Sequence, residues 1–531
     1  MRVLLPLVVL LPVLGAALTL VLGSHPVAQR WVSVVVLSGV TATAAALLVS
    51  AASDGPQSVV LGAWPAGVGI SLVVDRLSGL MLLTSSIVTL SVMLYSVGQG
   101  STGDGERTPV SIYHPTFLTL SAGVSIAFLA GDLFNLYVGF EVLLVSSYVL
   151  LTLGGTAARV RAGMTYVVVS IVSSLLFLTG IGVVYAATGT VSMADLPGRL
   201  SGLPLAVAVG LQLVLLLAFG LKAAAFPLSG WLPDSYPTAS APVAAVFAGL
   251  LTKVGVYAIF RTQTVLFGGV STPEVTTALV VVAVATMLVG ILGAIAQNDL
   301  KRLLSFTLVS HIGYMLFGVA LGSTAALGAA VFYAVHHILV QTALFLVVGL
   351  VERAAGTTSL RRLGGLGGAA PGIALLFLLP ALNLAGIPPF SGFVGKLALL
   401  RAGADDGSTS AWVLIVAGVI TSLLTLYAIS RAWAATFWSG RATRQDPEVS
   451  PEAAAAHAHR VPPAMVAAAA GVVVVVTSLT LVAGPLLALA DGAAADTLDV
   501  PGYTSTVGGL DIATADGGAE NGSAENGAKT P

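Results

Sequence analysis

The 531-residue chain contains no cysteine. That absence excludes disulfides, thiolate zinc sites, cysteine-ligated iron–sulfur clusters and a cysteine nucleophile. Charge is also scarce: 8% of residues are Asp, Glu, Lys or Arg, against 56% hydrophobic. A soluble domain averages about 25% charged residues, so too little charge is present to coat a water-exposed globule. With 22 basic and 23 acidic residues the net charge is −1, which offers no field for nucleic acid. No Walker lysine or dinucleotide glycine fingerprint stands at a strand–helix junction, and the Gly364–Gly368 cluster has no strand before it. No cofactor is expected.

What the chain does have is long apolar runs. About 20 residues cross the hydrocarbon core, and fourteen candidate spans follow: 3–23, 31–52, 76–97, 114–131, 132–153, 162–187, 205–226, 241–261, 273–297, 301–321, 324–350, 372–403, 411–435 and 462–489. The expected fold class is an all-α polytopic membrane protein. The first run is too long for a secretory signal and is read as a retained helix. Residues 53–75, rich in Pro and Gly with alternating Val and Ile, read as an extracellular loop or hairpin. Lys and Arg number five on the side holding both termini and thirteen on the other. The positive-inside rule then places the thirteen in the cytoplasm and both termini outside it.

Proline interrupts two spans at matched places. Pro227-Leu228-Ser229-Gly230-Trp231-Leu232 lies in the seventh, and Pro389-Phe390-Ser391-Gly392-Phe393-Val394 lies 162 residues later in the twelfth, preceded by Pro388. Proline frees backbone carbonyls that must then meet water or polar groups. Five spans apart, the two broken helices cross in opposite directions, which is the mark of inverted repeats. The expected organisation is an N-terminal three-helix segment (1–113), a first inverted five-helix repeat (114–261), a second (273–435), a cytoplasmic loop with the last helix (436–489) and a disordered acidic tail (490–531).

Lysine and arginine are sorted. All seventeen arginines read as loop or helix-end residues, whereas Lys222, Lys253 and Lys396 lie inside spans. A guanidinium keeps its charge, but a desolvated ammonium can release its proton. Glu141 is the one acid at mid-span, and Lys222 in the same unit is its expected partner; a plain buried salt bridge remains the simpler alternative. Asp132 stands near the interface at the start of that helix. His336 and His337 occupy the middle of the eleventh span and His311 that of the tenth. Adjacent histidines point about 100° apart on a helix and cannot share one axial site. A proton relay suits this pair, while His311 is equally a relay member or a packing hydrogen bonder. No spacing supports a metal site, and no catalytic residue is assigned.

These features resemble the antiporter-like membrane subunits shared by respiratory complex I and the Mrp-type multi-subunit sodium/proton antiporters. The carrying segments are Leu221–Pro227, Trp231–Thr238, Leu251–Tyr257 and Gly386–Lys396. Residues 235–238, Ser-Tyr-Pro-Thr, look more like the Mrp branch, and its D-type members in particular. The resemblance implies a charged axis at mid-membrane carried here by Glu141, Lys222, Lys253, Lys396 and, by position, His336 and His337. It further implies partner membrane subunits, protons and sodium as cargo, and residence in the cell's inner (plasma) membrane. Two other readings stand beside it: a proton-pumping subunit of a complex I-like or hydrogenase-like enzyme, and a non-transporting membrane scaffold.

Overall fold

The computed structural model describes residues 3–63, 69–99, 110–438 and 461–508. Among them, twelve helices are long and apolar enough to cross a membrane, or thirteen if the bent pair Pro463–Ser478 and Ala483–Leu498 is one span. The run expected at 372–403 is two shorter helices, Pro371–Ala385 and Ser391–Asp406, which meet at Pro388 and Pro389. Gln57–Val60 and Ser71–Val74 form an antiparallel hairpin within the segment read as a loop or hairpin.

Two expectations are corrected at the C-terminal end. The last span is not continuous: its two helices meet at 77°. Pro485 stands in the first turn of the second one, where its ring and missing N–H forbid continuation of the preceding helix. Residues 490–508 are not an unstructured tail, because helix Ala483–Leu498 and a further helix Val500–Gly508 cover them. Ala490, Ala493 and Ala494 are buried on one face, while Asp496 pairs with Arg76 at 2.7 Å. The acids there are spaced along an alanine-rich helix with a cationic partner, which composition alone reads as solvated chain. The remainder of the expected tail, 509–531, and the loop 439–460 lie outside the described residues.

Burial sorts the spans. In the most apolar window of Ala241–Leu266 and of Thr324–Ala355 every residue is buried, and 94% are in Leu300–Leu321. Leu4–Val21, Ala157–Thr188 and Pro273–Ile295 bury only 33–39% of theirs and turn broad apolar faces to lipid. The eighth, tenth and eleventh spans are therefore an inner layer, and polar side chains on them face protein.

Close backbone approach sets two helix pairs. A Cβ on Gly123 would stand 2.6 Å from the Leu143 amide, so only glycine lets Ser111–Leu129 lie so close to Leu133–Thr152. Gly290 approaches the Ser310 backbone in the same way between Pro273–Ile295 and Leu300–Leu321. The correspondence extends to the loops. Asp132 caps its helix by accepting from the Asn135 amide, and Asp299 does so from Arg302. Asp132 bridges to Ser192, and Asp299 to Ser359. Gly189 and Gly356 each end a long helix in the left-handed region. Every one of these pairs is 167 residues apart.

Candidate functional site

The seventh span ends at Ala223, and Ala224 turns left-handed at φ 58° before a cis Phe226–Pro227 peptide. Lys222 is the last-turn side chain, 7% exposed, and its Nζ donates to Ser174 Oγ at 3.0 Å and to the Ser170 carbonyl at 3.4 Å. The expected ion pair with Glu141 is not made. Glu141 forms no salt bridge among the described residues, and its Oε1 is buried without a partner. Residues 170 and 174, one turn apart on the sixth span, occupy the ammonium instead. Glu141 nevertheless acts on Lys222 electrostatically. A cavity of about 20 Å³ beside Lys222 is lined by Phe140, Ser170 and Trp231, which is room for roughly one water molecule.

Gly255 brings the eighth span against the end of the seventh, since a Cβ there would lie 2.7 Å from the Ala223 amide. Lys253 is fully buried, and its Nζ donates to the Ala248 carbonyl at 2.7 Å. The helix is wound as a π-turn over Phe247–Leu251, a local unwinding that offers a carbonyl the α-helix would have used.

The three expected histidines converge with two tyrosines. His311 Nδ1 and Tyr333 Oη are 2.8 Å apart, and His311 Nε2 lies 3.3 Å from Thr425 Oγ1. The His311 and His337 rings are centred 5.2 Å apart, and those of Tyr333 and His336 5.4 Å. His337 Nε2 meets Gln341, which donates onward to Thr307. His311 therefore lies beside His337 directly and beside His336 only through the Tyr333 ring between them. Lys253 acts electrostatically on both His337 and His311.

The second break has the same form as the first. Gly386, at φ 82°, ends the first half-helix three residues before Pro389, as Ala224 does before Pro227, and Pro388–Pro389 is likewise cis. Lys396 Nζ donates to the carbonyls of Leu384 and Ala385, both at 3.1 Å, which the break has freed. It also lies 5.1 Å from the centre of the Tyr314 ring. His336 Nδ1 and Ser391 Oγ are 3.0 Å apart, and Asn383 Oδ1 accepts from the Ser391 hydroxyl and the Gly392 amide.

Asp132 does not join these residues; it is a helix cap. Burial raises its carboxyl above the usual range, with backbone hydrogen bonds opposing. One arginine breaks the expected sorting. Arg261 lies within the eighth span, 2% exposed, and pairs with Asp75 at 2.5 Å. Burial opposes the Asp75 charge, yet the Arg261 guanidinium and Ser78 hold its carboxyl below the usual carboxylate range. Ser174, Tyr333, Thr425 and Asn383 carry no signal in the sequence either; each is an ordinary residue in an apolar helix until the fold supplies its partner. Among the described residues, no three metal-ligating side chains cluster.

The transmembrane family described as NADH:quinone oxidoreductase/Mrp antiporter matches residues 130–425. The D component of the Na(+)/H(+) antiporter of Alkalihalophilus pseudofirmus is 38% identical over 432 residues, 81% of this chain and 86% of that one. Its Bacillus subtilis counterpart is 38% identical over 442 residues with the same coverage. Among solved structures, a chain of the Mrp complex from Dietzia sp. superposes with a TM-score of 0.85 at 34% identity, over 95% of this chain and 99% of that one. A chain of respiratory complex I from Thermus thermophilus does so with 0.76 at 26%, over 93% and 99%. All the segments that carry the lysines and both proline breaks fall inside the matched region, and the chain belongs to the NADH:quinone oxidoreductase/Mrp antiporter transmembrane family.

Proposed function

We propose that this chain is the proton-translocating subunit of a multi-subunit sodium/proton antiporter in the plasma membrane, working beside other membrane subunits. The observation that carries the reading is the burial of Lys222, Lys253, His337, His311, His336 and Lys396, with Lys222 and Lys396 each beside a proline-broken helix. Hydrocarbon-depth ionisable groups are costly and mark ion paths. Three of them are lysines, which unlike arginine can be neutral on one side of a transfer and charged on the other.

A proton reaches Lys222 through the opening at Pro227 and the small cavity beside it. In the conformation described, Ser174 and Ser170 hold the ammonium; movement toward the free Glu141 oxygen is its second position. Departure from Glu141 favours release toward Lys253, whose own charge is stabilised by a single carbonyl. His337 and His311 accept next, Tyr333 and Ser391 link them to His336 and the second break, and Lys396 discharges there. The 167-residue correspondence supports two inverted halves, each supplying one gate.

The test is Lys222→Arg in everted vesicles bearing the whole complex. The variant keeps charge but does not deprotonate, so sodium-driven proton movement should fall to background with assembly intact. Exchange at the normal rate would reject the relay.

A further inference from the structure

A cavity of about 340 Å³ opens at one end of the bundle, and none of the proposed relay residues lines it. Its wall is assembled from helix ends: Arg30 from the second span, Arg159 from the sixth, Lys301 from the tenth and Arg353 from the eleventh. Against these four cations stands one lining acid, Glu352, which pairs with Lys301 at 2.7 Å. Arg159 is spent on the carbonyls of Thr238 and Leu153, but those bonds do not neutralise its charge. Arg353 is different. Among the described residues, its buried Nε and Nη1 have no hydrogen-bond partner. Tyr95, fully buried on the same wall, also has an unpartnered hydroxyl.

The eighth span begins at this cavity as well. Ser240 stands at its N-cap position without a side-chain capping bond, and the helix runs on to Leu266. A helix start carries partial positive charge, which adds to the guanidinium field. Leaving two guanidinium N–H groups and a phenol unsatisfied in a buried wall forfeits the solvation of each group with nothing in return. The donors are thus aimed at something that accepts several hydrogen bonds and carries negative charge.

We propose that this cavity binds a phosphate group, either the headgroup of an anionic phospholipid or free phosphate. Guanidinium forks match phosphate oxygens better than they match a single carboxylate. Basic pockets among helix ends on the cytoplasmic face suit anionic headgroups, and all four cations belong to the side that the positive-inside rule assigns to the cytoplasm. The same field repels sodium and hydronium, so the cation route enters elsewhere.

The test uses the full chain within its membrane complex in a neutral detergent. Thermal unfolding is followed against added phosphatidylglycerol, phosphatidylcholine, inorganic phosphate, or chloride at matched ionic strength. Stabilisation by phosphatidylglycerol beyond phosphatidylcholine identifies the lipid source; stabilisation by phosphate beyond chloride identifies the free anion. In either case Arg353→Gln should raise the half-saturating concentration about tenfold, the loss expected for charge-assisted hydrogen bonds. Tyr95→Phe removes only a hydroxyl, is expected to fold, and should weaken binding by a smaller factor. The proposal is overturned if neither probe exceeds its control, or if both variants respond as the wild type does. Because the readout is binding, failure here leaves the transport reading untouched.

Discussion

Arg261 and Asp75 form a bidentate ion pair, with Nη1 and Nη2 at 2.5 and 3.0 Å from the two carboxylate oxygens, although 186 residues separate them. The pair ties the start of the third span to the eighth, the helix that carries Lys253. Tyr257 lies beside it, and the Tyr503 ring from the C-terminal helix is 5.5 Å from the guanidinium. Asp75→Asn would leave a buried guanidinium without its counter-charge, which costs about 3–5 kcal/mol. The expected outcome is loss of folded protein, read as a lowered unfolding midpoint and reduced complex yield. The double variant Asp75→Leu with Arg261→Met should recover most of that stability. Recovery of stability together with loss of transport would give the pair a role in the proton path.

A second prediction concerns Tyr333, whose hydroxyl lies 2.8 Å from His311 Nδ1. Tyr333→Phe keeps the ring stacking and removes one hydrogen bond worth about 0.5–1.5 kcal/mol. Antiport should slow by up to about tenfold at 1.36 kcal/mol per factor of ten, with assembly unchanged. A normal rate would mean that Thr425 and packing suffice to orient His311.

Gly392 supplies a third. A Cβ there would collide with the Asn383 carbonyl oxygen and come within 3.0 Å of His336 Nε2. Gly392→Ala must therefore push the second half-helix away from the first, at about 1–3 kcal/mol. The displacement acts on the Ser391–His336 contact and on the carbonyls that hold Lys396. Transport should fall more steeply than thermal stability, and measuring both on the same preparation separates a positional effect from simple unfolding.

The breaks and the buried lysines are legible in the sequence because proline and charge are conspicuous in apolar runs. A fainter signal of the repeat lies in the loops. Gly189-Thr190-Val191-Ser192-Met193 and Gly356-Thr357-Thr358-Ser359-Leu360 are near copies, each bridging to an Asp-Leu helix start. Sequence distance hides the rest. Nothing near Glu141 announces that Ser174 will take its lysine, since that depends on how the sixth span rotates against the seventh. Arg261 escapes the sorting by residue type because its neutralising carboxylate arrives from residue 75, and a cation near the end of an apolar run looks like an anchor. The acidic C-terminal helix is hidden for the same reason: its counter-ion, Arg76, is remote in the chain.

Asp132 gives the last test, and its sign differs from that of a relay acid. Its carboxyl is raised by burial, so the folded state holds the proton more tightly than the unfolded chain does. Its stabilising contribution is thus complete below the unfolded value, about 3.9, and is lost as pH rises through the folded value. At neutral pH the charge is a cost to the fold. Asn caps a helix about as well as Asp and carries no charge. Asp132→Asn should therefore unfold at an equal or higher temperature than the wild type near pH 7, with the advantage shrinking toward pH 4, and antiport should persist. Asp132→Ala, which removes the cap, should lose about 1 kcal/mol, and Asp299→Ala at the matched helix start should do the same. If Asp132→Asn instead abolished antiport while folding normally, the carboxyl would be exchanging protons, and the helix-cap assignment would have to give way to a proton entrance at this loop.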